Sequence, residues 1–331
     1  MRQRLSIEDY KNGILSGDRI ILSQAITIIE SKLVPDRKLA AELLHEILPE
    51  TGNSLRIGIT GVPGVGKSTF IEALGKHITS QSKQLAVLTV DPSSKQSGGS
   101  ILGDKTRMEQ LSRDPLAYIR PSATNLSLGG VARNTRETIL LCEAAGFEII
   151  IVETVGVGQS ETLVKGMTDF FLLLMLAGAG DELQGIKKGI MEMADVVAVN
   201  KADGDNKAAA ALAARDYTNA LHLFPKSESG FTPKVISCSA LDLTGINEIW
   251  NIILEYQVLT RANGFLDKNR QAQNLDWMHE FIRQTLETTF YENPGIKKEL
   301  SIIEKGVISG STLPLAAAQN LLNLFFGKTK R

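Results

Sequence analysis

Gly61-Val62-Pro63-Gly64-Val65-Gly66-Lys67-Ser68 follows the apolar run Leu55–Thr60 and opens the stretch Lys67–Thr79. It matches G-x-x-x-x-G-K-[ST] in full, between a strand and a helix. That setting separates a phosphate-binding loop from an ordinary glycine-rich turn. The glycines let backbone N–H groups turn inward around phosphate oxygens with no Cβ in the way. The helix start adds positive potential, Lys67 brings a point charge to the β- and γ-phosphates, and the Ser68 hydroxyl is a magnesium ligand.

Outward from this loop, short apolar runs alternate with helical stretches. The expected strands are Leu55–Thr60, Leu85–Asp91, Ala117–Arg120, Phe147–Glu153, Asp169–Leu176, Asp195–Asn200 and Lys234–Ser237. Most are continuously apolar, as strands buried on both faces are. Between them, Lys67–Thr79, Val131–Ala145, Ile186–Met193 and Lys207–Leu221 read as helices. Repeated βα units predict an α/β fold, a mostly parallel sheet of the P-loop NTPase kind flanked by helices. Helical extensions are expected at both ends. Residues 1–50 carry Ile20, Leu22, Ile26, Ile29 and Leu33, then Leu39, Leu43, Leu44 and Ile47, with Pro35 between. The GTPase-like core is expected over residues 51–243, and a helical region with surplus apolar positions over 244–331.

Two strand-end carboxylates belong to the same edge. Asp91 ends one strand and Glu153 another, so a parallel sheet places both beside the phosphate loop. Alone, either reads as a cap or turn residue. Beside this loop they read as ligands of Mg²⁺ or its water shell. Gly156, three residues after Glu153, is placed to offer its N–H to a γ-phosphate. Asn200-Lys201-Ala202-Asp203 follows another apolar strand and fits the N-K-x-D reader of guanine. The Asp203 carboxylate can accept from both N1–H and the 2-amino group of guanine, whereas adenine leaves it unpaired. Asn200 ties the loop together, the Lys201 stem packs on the base, and Ser239-Ala240-Leu241 offers backbone N–H to O6. GTP over ATP, with GDP as product and Mg²⁺ as cofactor, is the expectation.

Further segments make the chain resemble the MeaB/ArgK family, which includes the human GTPase associated with methylmalonic aciduria type A. They include Gly61–Thr69, Val90–Ser94, Gly98–Met108, Leu128–Ala132, Glu153–Ser160, Gly178–Gly189 and Ser237–Leu241. The resemblance implies that Thr69 joins the nucleotide contacts. It implies that Asp104 and Arg107 form a first switch, with Asp104 near the metal, and that Lys187 carries a signal from a further switch. It implies an adenosylcobalamin-dependent acyl-CoA mutase as partner, and a homodimer built through the C-terminal region. Without it, Gly180-Asp181-Glu182 reads as a polar loop and helix cap. The loop Arg120–Ser127 departs from the family, lacking a second proline and a glycine before Leu128. No D-x-H-x-x-G motif appears, so a cobalamin site within the chain is not expected.

Composition sets the remaining bounds. Net charge is −1, with 36 basic and 37 acidic residues, which argues against a nucleic-acid footprint. Cys142 and Cys238 read as buried free thiols, suited to a cytoplasmic setting. The longest apolar run, Phe170–Ala179, falls well short of the roughly 20 residues of a bilayer span, so no membrane contact is expected. A nickel-insertion GTPase would want clustered Cys and His. A kinase of transport-binding proteins would want an acceptor-activating base, and no H-R-D or D-F-G set is present.

Overall fold

The apolar runs pair into one parallel sheet in the computed structural model, which describes residues 4–90, 108–121, 128–154, 160–178 and 188–327. The strands are β1 (Leu55–Gly61), β2 (Leu85–Val90), β3 (Ala117–Arg120), β4 (Ile149–Thr154), β5 (Phe170–Leu176), β6 (Val196–Asn200) and β7 (Lys234–Ser237). Their order is β3-β2-β4-β1-β5-β6-β7, and each pairing is parallel. β1 is therefore central, with the chain winding to one side through β2 to β4 and to the other through β5 to β7.

The helices are α1 (Ile7–Leu15), α2 (Arg19–Ile29), α3 (Val34–Ile47), α4 (Lys67–Ser80), α5 (Glu109–Ser112), α6 (Leu128–Ala144) and α7 (Ser160–Lys165). They continue as α8 (Lys188–Met193), α9 (Lys207–Leu221), α10 (Ile246–Ala262), α11 (Phe265–Glu292), α12 (Pro294–Ile308) and α13 (Pro314–Phe325). Most expected elements shift by a residue or two. β4 starts two residues later than expected because Phe147 N–H donates to Cys142 O, closing the end of α6 with Gly146 at φ 88°. That N–H is unavailable to the sheet. α1 is a helix of its own, started by a capping box in which Ser6 and Asp9 satisfy each other's backbone N–H.

Side chains still alternate along the buried strands. Leu55, Ile57 and Ile59 of β1 pack with Phe70, Ile71 and Leu74 of α4 and with Trp250, Ile253 and Tyr256 of α10 on one face. On the other face Ala86, Leu88, Ile150 and Val152 pack with α6 and with Tyr10, Ile14, Ile26 and Leu43 of the N-terminal helices. Beyond β1, Leu173, Met175, Val197 and Val199 pack with Ala210 and Tyr217 of α9. Gly58 marks where α7 presses on β1. A Cβ there would stand 2.9 Å from Val164 Cγ1 and 2.8 Å from Thr168 Oγ1, so only glycine admits the helix this close.

The chain divides into two compact units, residues 1–271 and 272–331, with the division inside α11. The first holds the sheet. The second holds α12 and α13, where Ile296, Ala317 and Leu321 are buried and the Phe290 and Phe325 rings lie 5.2 Å apart. Within it, Leu275, Met278, Ile282 and Leu286 follow helical spacing along α11 and are exposed. Among the described residues, no helix is long and apolar enough to cross a membrane. Cys142 and Cys238 are buried free thiols.

Candidate functional site

The carboxyl ends of β1, β4 and β6 carry the candidate residues. β1 ends at Gly61, and α4 begins six residues later at Lys67. Gly66 makes the reversal at φ 90° and ψ 36°, in the left-handed region. A side chain there would also crowd Asn200, whose Nδ2 would stand 3.2 Å from the added Cβ. Among the described residues no side chain caps α4, so its first N–H groups are directed at the turn, the arrangement that receives an anion.

The Lys67 ammonium folds back and donates to Gly61 O at 3.0 Å and to Val62 O at 3.4 Å. Burial pushes its pKa below the usual lysine range, and the charges of Glu153 and Glu161 pull the other way. Glu153 is buried in β4, level with Ile59 of β1 and Thr89 of β2. The next residue, Thr154, shares a 2.7 Å hydroxyl bond with Thr60, locking the ends of β4 and β1 together. Ser68 and Thr69 occupy the first turn of α4 beside Lys67.

The base side is built around Asn200, which is 2% exposed at the end of β6. Its Nδ2 donates to Val65 O at 2.8 Å, inside the phosphate loop. Its Oδ1 accepts from Ala240 N–H at 3.2 Å and from the Cys238 thiol at 3.7 Å. Burial pushes the Cys238 thiol up to about 12, so it stays protonated and remains a donor. Lys201 sits at φ 59°, unusual for a side chain of this kind, with its carbonyl held by Asn206 Nδ2 at 2.7 Å.

Asp203 is oriented from the same segment. Ser239 Oγ donates to Asp203 Oδ2 at 2.6 Å and accepts from Asp242 N–H at 3.0 Å. Ala202 N–H donates to Cys238 O at 2.9 Å. The structure thus joins Gly61–Ser68, Asn200–Asp203 and Ser239–Ala240, while Leu241 stays exposed. The expectation had the segment Ser239-Ala240-Leu241 offering backbone N–H to a base, and two of those N–H groups are those of Ser239 and Ala240. Here the first donates to Thr244 O at 2.9 Å and the second to Asn200. The Ser239 hydroxyl on Asp203 is the contribution that sequence reasoning missed.

Asp91, Asp104, Arg107, Gly156 and Lys187 lie outside the described residues. From sequence Cys238 reads only as a buried free thiol, and Glu161 is not singled out. Each looked ordinary there, one as an apolar core residue and the other as an acid in a first helical turn, a common complement to the helix dipole.

Comparisons with known proteins bear on the family and the fold. Residues 22–295 match the family model described as methylmalonyl Co-A mutase-associated GTPase MeaB. The chain is 47% identical over 277 residues to GTPase ArgK of Escherichia coli (strain K12), covering 84% of each. It is 45% identical over 334 residues to the mitochondrial methylmalonic aciduria type A homolog of Mus musculus, covering 98% of this chain and 80% of that one. A crystal structure of an LAO/AO transport system kinase superposes with a TM-score of 0.78 at 35% identity, covering 98% of this chain and 99% of that one.

Asn200→Ala removes the acceptor of one buried N–H and the donor to one buried carbonyl, at a cost of about 1–3 kcal/mol. The expected result is a lower urea midpoint together with faster hydrogen exchange at the Ala240 amide. Unchanged exchange at that amide would show that the carboxamide does not join the two loops.

Proposed function

The chain is a GTPase of the MeaB family, and on that premise we propose that it is a Mg²⁺-dependent chaperone that gates adenosylcobalamin loading into a methylmalonyl-CoA-type mutase and protects that enzyme. The observation that carries the nucleotide part is the Asn200 carboxamide, which fastens a guanine reader to a phosphate loop. In this reading Gly61 to Thr69 hold the phosphates, and Lys67 turns from the Gly61 and Val62 carbonyls to the β- and γ-oxygens. Asn200, Lys201 and Asp203 hold the base, with Ser239 aiming the Asp203 carboxylate and the 239–241 segment closing over it.

The donor set suits magnesium. Ser68 and Glu153 offer a hydroxyl and a carboxylate, hard oxygens of the kind Mg²⁺ takes alongside substrate phosphates and water. When bound, the ion neutralises charge on the phosphates. Asp91 and Asp104 complete the proposed set, Gly156 offers its N–H to the γ-phosphate, and Arg107 and Lys187 relay the state of the nucleotide. The mutase role is supported by the family and by the likeness to the methylmalonic aciduria type A homolog. The cobalamin belongs to the mutase, and a cytoplasmic location fits that pairing.

Likeness to the LAO/AO transport system kinase favours a second reading, phosphoryl transfer to a protein. The absence of a kinase catalytic set from the sequence weighs against it. We also propose a homodimer, supported by the exposed stripe Leu275, Met278, Ile282 and Leu286, which a second copy of the chain would cover.

Asp203→Asn is expected to weaken GTP binding and strengthen binding of xanthosine triphosphate, whose 2-oxo group accepts where guanine donates. Equal ATP and GTP affinities for the unaltered protein in calorimetry would refute the base assignment. Light scattering is expected to give twice the chain mass, and a chain ending near residue 265 to give a monomer. A concentration-independent monomer for the full chain would rule the dimer out.

The partner predicts a rate. Val157, not a glutamine, follows Gly156, so the attacking water lacks the orienting group of Ras-like enzymes and intrinsic hydrolysis is slow. An adenosylcobalamin-dependent acyl-CoA mutase from the same organism is expected to raise steady-state GTP hydrolysis severalfold, and Lys187→Ala to reduce the stimulated rate. Absence of stimulation would remove the mutase from the proposal.

A further inference from the structure

Glu161 stands in the first turn of α7, where an acid that merely complements the helix dipole would sit in water. It does not: it is 8% exposed, and its neighbour Ser160 is fully buried. The packing of α7 explains where the carboxylate goes. β4 ends at the carboxyl edge of the sheet and β5 starts at the amino edge, so α7 runs back against the strands. Val164 is seated on Gly58 of β1. Glu161 is three residues earlier on the same side of the helix, about 4.5 Å nearer the carboxyl edge. A strand rises about 3.3 Å per residue, so that step reaches the level between Ile59 and Thr60, just short of the Gly61 carbonyl that receives Lys67.

Among the described residues the Glu161 carboxylate makes no hydrogen bond, and after Glu153 it is the second negative charge that favours the charged form of Lys67. The geometry points to Glu161 as a positioning residue: a counter-charge that holds the phosphate-loop lysine against the carbonyls of its own loop and competes with nucleotide phosphates for it. Lys67 is a half-buried cation whose hydrogen-bond partners among the described residues are two carbonyls. A buried ammonium without an opposite charge nearby is costly, and a carboxylate bonded to it directly would hold it against release. A second carboxylate at a distance lowers the first cost without creating the second. When phosphates arrive, Lys67 leaves this field, and part of the phosphate attraction is spent on that exchange. Glu161 therefore weakens di- and triphosphate binding through Lys67 and leaves recognition of the base untouched.

The inference rests on Gly61–Ser68 being the phosphate loop, and one set of titrations separates the two. The full-length protein is titrated in calorimetry, without Mg²⁺, with GDP, a non-hydrolysable GTP analogue and GMP. In Glu161→Gln, which keeps shape and removes charge, affinity for GDP and the GTP analogue rises about threefold to tenfold, as expected for one charge acting across a partly screened gap. Affinity for GMP stays put. Glu161→Asp restores the charge and returns affinity toward that of the unaltered protein. In a Lys67→Met background, Glu161→Gln no longer strengthens GDP binding.

No gain in Glu161→Gln, an equal change for GMP, or the same gain in the Lys67→Met background each overturns the inference. The first would deny the charge effect, the second would make the residue structural, and the third would make the effect direct repulsion of phosphate. The phosphate-loop reading has its own arm: if Lys67→Met binds GDP as the unaltered protein does, that reading falls and takes the inference with it. If Lys67→Met weakens GDP while the Glu161 variants fail as described, only the inference falls.

Discussion

Asn200 carries both a donor and an acceptor into a place where neither reaches water. Such a group must find partners inside the protein, because leaving it unpaired costs more than a hydrogen bond contributes. Its partners are the Val65 carbonyl and the Ala240 N–H, on segments that reach the site from opposite directions of the chain. The buried amide thereby sets the spacing between a loop suited to phosphate and a segment suited to a base. Gly66 belongs to the same constraint, since a side chain there would press on the amide.

That arrangement depends in turn on the strand order. A central β1 with β4 on one side and β5 and β6 on the other puts the ends of three strands within reach of one ligand. The Thr60–Thr154 hydroxyl bond and the glycine contact between β1 and α7 keep two of those ends in register. The crevice at the carboxyl edge, where the chain turns from one side of the sheet to the other, is where parallel α/β sheets bind ligands.

Much of this was legible in sequence, and the reason is locality. The phosphate loop, the N-K-x-D run and the apolar strands are each decided by residues within about ten positions of one another, so short-range pattern suffices. The elements that were mistaken or missed depend on more. β4 lost Phe147 because its N–H was claimed by the end of the preceding helix. α1 lies inside the helical extension expected over residues 1–50, but its start is marked by the Ser6–Asp9 capping box more than by an apolar stripe. Ser239 was read as a backbone donor, yet its hydroxyl faces Asp203 only once β6 and β7 are side by side. Glu161 carries no pattern in sequence, and Cys238 reads there only as a buried thiol. Their importance comes from which strand end they face after folding.

The lysine of the phosphate loop shows why such residues escape a linear reading. Its ammonium must remain charged, accessible and held in place before any ligand arrives, although burial opposes the first of these. A direct salt bridge would secure the charge and forfeit the access. Carbonyl oxygens of the loop itself offer weaker bonds that phosphate oxygens can replace, since a charge-assisted bond to an anion is stronger than one to a neutral dipole. Carbonyls alone, however, leave the partly buried charge poorly compensated. Carboxylates set back on β4 and α7 compensate it by field, without occupying its donors. A field of that kind is a property of the folded arrangement, distributed over three elements, and no spacing rule within one segment can encode it.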